Sequence, residues 1–372
     1  MDWFERLTGF RETEHAPTQR RLRVENGCLV REGSGDRFAV GTLTLPSVAE
    51  LRAAASGVKR AGRTRLSLVE GDVRALHRLP GNRGALFQVA SQFNMLEMVG
   101  PGVTPEDGVA RYAGDRTQGP ACAMAAGAAT IYRNYLVPVE GGLGQTAGRQ
   151  LDGLADLGDA LARSLGTVRT ALWAMRNGYA LPTRAGLAAI AAYLDGAGED
   201  ARDDLRGRLR LGLHTDVAVT DGPSPHPLVS QVFCSALPVA YAGLPQADWA
   251  PFARLVLEAA YEGTLLAGLL NAARGASGRV LLTRLGGGLR QRRRLDRRRP
   301  AAGAPARRRR RSRRGARQLR SARTGLARPR TTLRRTGPMS RRAEGGADCG
   351  RIPGSATYRA FHLMIDVEMM IL

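Results

Sequence analysis

Between Leu289 and Arg342 the chain carries 23 arginines and one acid, Asp296. No other feature constrains the fold as strongly. A polar, self-repelling run cannot bury enough apolar surface to offset the entropy of ordering it. The stretch is therefore expected to stay disordered, and the packed core has to come from the residues before it. The run also explains the formal net charge of +23: it holds +22, residues 343–372 hold −2, and residues 1–288 hold +3, which is ordinary for a globular protein. A nucleic-acid partner, held through phosphate contacts, is implied only if the arginine segment is genuine. Lys59 is the only lysine among the 56 basic residues. Together with abundant Ala and Gly, this points to a GC-rich coding sequence, in which a shifted frame yields Arg, Pro, Ala and Gly. Three origins for the arginine-rich tail, residues 289–372, stay open by its composition: a frame-shifted terminus first, then a disordered basic tail, and last a folded basic domain.

The remaining composition narrows the class of protein. Cys28, Cys122, Cys234 and Cys349 are far apart and form no CxxC pair, which fits a reducing compartment and neither a disulfide framework nor a zinc cluster. The opening "MDWFERLTGF" is amphipathic and charged, unlike a signal peptide. No run approaches 18 apolar residues, and the closing "FHLMIDVEMMIL" is short and carries Asp366 and Glu368. A cytoplasmic protein without a membrane partner is expected.

Residues 1–60 read as a small N-terminal element. "RLRVENGCLVREG" is strand, Asn26-Gly27 turn, strand. "VAELRAAASG" is a helix capped by Ser47, with Glu50 completing a capping box. From Arg65 an alternation of strands and helices begins. "RLSLVEGDV" leaves a strand through a Gly-Asp turn, and "GALFQVA" is apolar enough for a strand buried on both faces. "GPACAMAAGAATIYRN" is a helix of small residues with Pro120 in its first turn, and "YLVPV" a further strand. Residues 150–206 read as a helical insertion broken at Gly166, "NGYALP" and "DGAGED". "RLRLGLHTDVAVT" and "VSQVFCSAL" are strands, "WAPFARLVLEAAYEGTLLAGLLNAAR" a long and mostly buried helix, and "RVLLTRL" a last strand that runs into Gly286, Gly287 and Gly288. Helices between strands imply an α/β fold, a three-layer α/β/α domain with a mixed sheet over residues 65–288.

In open α/β sheets, ligands sit beyond the carboxyl ends of the strands. Asp72 follows the first strand of this domain, and Gln88, Ser91, Gln92 and Asn94 lie at and beyond the second. The helix opening at "DRTQGPA" adds free backbone N–H groups, with Thr117, Gln118 and Gly119 at its start. Gly286, Gly287 and Gly288 would let the backbone approach a phosphate without a Cβ clash. The five histidines are scattered, and there is no HExxH, GxSxG, GxGxxG or Walker A motif. His214 and Asp216, two apart in a strand, are expected to share a face in a structural role. Glu258, Tyr261 and Glu262 are expected to line one solvated side of the long helix.

In this order of strand ends the chain resembles the macrodomain superfamily, α/β/α modules that bind ADP-ribose. "LSLVEGDVRAL" looks like the family's strand ending Gly-Asp-(Ile/Val). "GALFQVASQFN" is similar to its strand ending in an Asn-rich turn, and "LLTRLGGG" to its last strand and the start of the second glycine loop. The chain departs from the family where Gln88 and Ser91 stand for asparagines and where "GDRTQGPACA" stands for a Gly-Gly-Gly-Val-Asp loop. It departs again after Gly288, where the arginine run bears no likeness to a closing helix and strand. The resemblance implies that Asp72 meets the adenine amino group. It places the diphosphate between Thr117–Gly119 and Gly286–Gly288, and puts Asn94 beside the distal ribose with Asp115 orienting a water. It further implies binding or hydrolysis of ADP-ribosyl compounds, with no metal or cofactor. The competing function is non-specific nucleic-acid binding through the arginine run.

Overall fold

The structure, a computed structural model, describes residues 1–58, 64–286 and 359–367. Gly287, Gly288 and the arginine run lie outside the described residues.

The chain opens with α1 (Trp3–Thr8) and α2 (His15–Arg21), followed by a small antiparallel sheet of β1 (Val24–Glu25), β2 (Cys28–Val30) and β3 (Arg37–Ala39). Asn26 and Gly27 turn its first hairpin at φ of 50° and 71°, the left-handed pair that a two-residue hairpin loop requires. Next come β4 (Thr42–Thr44) and α3 (Val48–Ser56). The capping box at α3 is present: Ser47 Oγ accepts from Glu50 N at 3.1 Å, and the Glu50 carboxylate accepts from Ser47 N at 2.8 Å. Then β5 (Thr64–Asp72), α4 (Val73–Arg78) and β6 (Leu86–Ser91) lead to α5 (Gln118–Ala125) and α6 (Gly127–Tyr135). The expected single helix is thus two, broken at Ala126, where a Cβ on Gly127 would come within 2.5 Å of the Leu7 side chain.

"YLVPV" is a correction. It gives only β7 (Pro138–Val139), paired with β8 (Gly142–Leu143) in a two-stranded ribbon apart from the main sheet. The insertion comprises α7 (Ala155–Ser164), α8 (Arg169–Leu172), β9 (Trp173–Arg176), β10 (Tyr179–Pro182), α9 (Arg184–Gly196) and α10 (Glu199–Gly207). It is therefore not purely helical. Asn177 and Gly178, at φ of 47° and 76°, turn a hairpin between β9 and β10. The chain returns to the main sheet with β11 (Gly212–Ala218) and β12 (Leu228–Ser235), and continues through α11 (Gln246–Ala273) into β13 (Arg279–Leu282) and β14 (Arg359–Val367).

The fold is mixed α/β around a seven-stranded mixed sheet in the order β4-β11-β12-β6-β13-β14-β5. β12, β6 and β13 are parallel neighbours, and β11, β4 and β14 pair antiparallel to theirs. Two expected boundaries change. The N-terminal residues are not a separate element, because β4 forms an edge of the main sheet and α1 packs on α6. Residues 359–367 are not a tail beyond the domain, because β14 fills the place between β13 and β5.

Successive side chains of a strand point to opposite faces, and here each face has its own core. Leu86, Val232, Cys234 and Leu282 pack with α3, α7, α9 and α11 on one side, among them Trp173, Trp249 and Phe252. Phe87, Val89, Val229, Phe233 and Leu281 pack with α1, α4, α5 and α6 on the other. α11 comes so close to the sheet that a Cβ on Gly268 would lie 2.3 Å from Val280.

Candidate functional site

The carboxyl ends of β6, β12 and β13 lie on one edge of the sheet, as their parallel register dictates. β13 pairs with β6 only at Leu86 and Phe87, so further along β6 another partner is needed for its backbone groups. Gln118, the first residue of α5, supplies it. Its Oε1 accepts from Ala90 N at 2.9 Å, and its Nε2 donates to Gln88 O at 2.8 Å. The Gln88 side chain is also spent on scaffolding, donating to Thr264 Oγ1 at 2.9 Å and accepting from Thr283 N at 3.1 Å. It ties α11 and the segment after β13 to the central strand.

The other amides shape the loop after β6. Gln92 Oε1 accepts from Met98 N at 2.5 Å, and its Nε2 donates to the Tyr179 hydroxyl at 3.2 Å. Asn94, expected beside a distal ribose, is fully buried. It accepts from Leu96 N at 3.1 Å and donates to Gln150 at 2.8 Å. Asp72 caps α4, its Oδ1 accepting from Ala75 N at 3.0 Å. Asp115 is half-buried and accepts from Thr117 N at 2.8 Å, which fixes the approach to α5. Gly286 has a φ of 66° and lies against Ala236, beyond the end of β12.

Gly119, in the first turn of α5, has no room for a side chain: a Cβ there would be 2.1 Å from both Ala90 O and Glu97 Oε2. That contact identifies the residue that sequence reasoning missed. Glu97 is 3 % exposed, and its Oε1 is buried with no hydrogen-bond partner among the described residues. Burial pushes its carboxyl well above the usual range. Arg133 opposes that rise, and Asp115 adds to it. A lone acid inside the apolar run "FNMLEMV" was the available signal.

Behind Glu97 sits a fully buried arginine. The Arg133 guanidinium stacks on Phe233 at 3.9 Å, donates to Met95 O at 3.2 Å and Thr130 Oγ1 at 3.0 Å, and faces His214 Nδ1 at 3.3 Å. Burial brings it down to about 10, so it stays cationic at neutral pH. His214 is held neutral, well below the usual imidazole range, by burial and by that cation. Its expected companion is elsewhere. β11 is irregular between His214 and Val217, and Asp216, at a φ of 57°, pairs with Arg274, the C-cap of α11, at 2.7 Å. The pair does not share a face.

The insertion contributes Tyr179, whose hydroxyl donates to Met98 O at 2.6 Å and whose ring lies 5.2 Å from that of Tyr241. Burial raises the Tyr179 phenol, with further increments from Tyr241, Glu97 and Asp115. Tyr261 is not on a purely solvated side of α11. It donates to Thr283 O at 2.8 Å and accepts from Leu285 N at 3.2 Å, which holds the lead-in to Gly286. Glu262 and Glu258 pair with Arg52 at 2.6 Å and Arg206 at 3.2 Å.

Among the described residues no group of three or more His, Cys, Asp or Glu side chains is placed to hold a metal ion, and no helix is long and apolar enough to cross a membrane. Two cavities, of about 600 and 580 Å³, are lined by none of the residues named above for this edge. No protein-family model, curated protein or solved structure matches the chain.

Proposed function

We propose that the carboxyl edge of the parallel strands binds ADP-ribose or an ADP-ribosyl-related nucleotide and hydrolyses the bond at its distal ribose. The observation that carries this reading is the buried Glu97 carboxyl, packed against Gly119 at the opening of α5, whose Oε1 has no hydrogen-bond partner among the described residues. A helix start leaves backbone N–H groups without intrahelical acceptors and favours a phosphate there. A carboxyl with raised proton affinity beside it stays neutral, so it does not repel the diphosphate and holds a proton to give. Asp72, at the end of β5 on the same edge, is the residue assigned to the adenine.

The chemistry divides between two acids in different surroundings. Asp115, half-exposed, takes a proton from a water as its oxygen attacks the anomeric carbon. The bond from that carbon to the leaving group breaks with its electron pair, and Glu97 protonates the departing atom. Asn94, Gln88, Gln92 and Gln118 hold the framework.

Calorimetric titration of the full chain with ADP-ribose tests this. One saturable site is expected, with Asp72→Ala weakening it. Glu97→Gln, which cannot give up a proton, is expected to keep binding and slow hydrolysis of an ADP-ribosylated peptide by about 100-fold or more. Absence of any heat with ADP-ribose would sink the proposal, and an unchanged rate in Glu97→Gln would remove the acid from the mechanism.

A further inference from the structure

The cavity of about 580 Å³ lies toward the opposite end of the parallel strands, where α1, the β2–β3 turn and the loop between β11 and β12 meet. Its lining combines the buried apolar residues Trp3, Phe38 and Met124 with Arg6, Arg31 and Arg37. α5 spans the distance between the two ends: Gln118 touches β6 near its carboxyl end, and Met124, about 9 Å further along the helix axis, lines this cavity.

The arginines are only partly neutralised. Arg37 pairs with Glu25 at 2.6 Å, and Arg31 meets Asp36 at the longer distance of 3.3 Å. Arg31 Nε is buried with no acceptor, and Arg6 has no ion-pair partner among the described residues. Asp221, the other acid at the cavity, is already held by Arg74 at 2.6 Å and more loosely by Arg78 at 3.8 Å. The balance of charge around the opening is positive. The Arg31 side chain is 30 % exposed, so its guanidinium keeps donors open to an anion, and charge-assisted bonds of this kind are the strong ones.

From this combination we infer that the cavity is a binding site for a small organic anion, an oxyanion carried on a flat apolar body. The oxyanion meets Arg6 and Arg31, and the body lies on Trp3 and Phe38. The inference is independent of the nucleotide site, because none of these residues belongs to it.

Trp3 supplies the readout, since Trp173 and Trp249 are buried in the core on the other face of the sheet. Tryptophan fluorescence of the full chain is followed on titration with phenyl phosphate, inorganic phosphate and benzyl alcohol. Phenyl phosphate is expected to bind saturably and at least tenfold more tightly than either fragment. Arg6→Ala and Arg31→Met should each weaken it about tenfold while leaving the thermal midpoint and the ADP-ribose affinity unchanged. Affinity unchanged from that of the natural chain in both variants would overturn the assignment, since attraction by the arginine run alone gives that result. Benzyl alcohol or inorganic phosphate binding as tightly as phenyl phosphate would overturn it too, leaving a bare crevice or a bare anion site. Failure of ADP-ribose to bind has no bearing on this outcome.

Discussion

Replacing Arg133 with methionine is expected to lower the unfolding free energy by about 3–5 kcal/mol, the range for removing one member of a buried charged network. Methionine fills much of the same volume and stays in contact with Phe233, so the loss reflects polar groups left behind. Met95 O and Thr130 Oγ1 lose a donor, His214 Nδ1 faces an apolar atom, and Glu97 loses the cation that opposes its burial. Unfolding in urea, followed by circular dichroism, measures it. A loss below about 1 kcal/mol would show that the guanidinium is not what holds this core together. The double variant with Glu97→Gln separates the terms. If the two groups interact through their charges, the combined loss should differ from the sum of the single losses by 0.5 kcal/mol or more.

The second large effect is on pH dependence. Folding raises the proton affinity of Glu97, so its contribution to stability is complete below the unfolded carboxylate pKa and is lost as pH rises through the folded value. Relative to Glu97→Gln, the natural chain should lose about 1.4 kcal/mol per pH unit above about pH 4.5, until the carboxyl ionises in the fold. His214 acts with the opposite sign. Its folded affinity is depressed, so its contribution is present above the unfolded imidazole value near 6.5 and is lost on acidification. Between roughly pH 4.5 and 6.5 the two slopes oppose each other, and above that window only the Glu97 slope remains. Denaturation of both proteins at a series of pH values gives the difference curve, in which groups common to both cancel. A flat difference from pH 5 to 8 would mean that Glu97 is ionised in the fold throughout.

The legible parts of this fold were those where one local signal decides. Asn26-Gly27 demanded a two-residue turn, Ser47 with Glu50 a helix start, and the continuous apolar run of β6 burial on both faces. The misread parts had signals that compete. "NGYALP" reads as a helix break because helices surround it, although Asn177-Gly178 between two short apolar runs is a hairpin sequence. "YLVPV" has the composition of a buried strand, yet it makes only a two-residue ribbon with β8. The break at Ala126 follows from how closely Gly127 approaches α1, a tertiary fact with no local mark. At the candidate site, residue type misled for a physical reason. An amide is equally suited to a ligand and to a backbone group that the sheet leaves unpaired, and Gln88 and Gln118 do the second. The Glu97 carboxyl, whose Oε1 has no partner among the described residues, is the better guide, but its burial is visible only after folding.

The sheet order has a consequence for which amides can be reached by solvent hydrogen. β6 pairs with β12 along its length and with β13 at Leu86 and Phe87, has Gln118 of α5 on Ala90 N, and contributes to the cores on both faces, so several elements must part before its backbone is freed. Its N–H groups, with those of β12, exchange only when the whole domain opens. β4 is three residues long and β5 carries Leu66 and Leu68 at 60 % and 67 % exposure, so these outer strands open locally and label first. The protection pattern therefore rises from both edges toward the strand that Gln88 and Gln118 tie to the carboxyl edge.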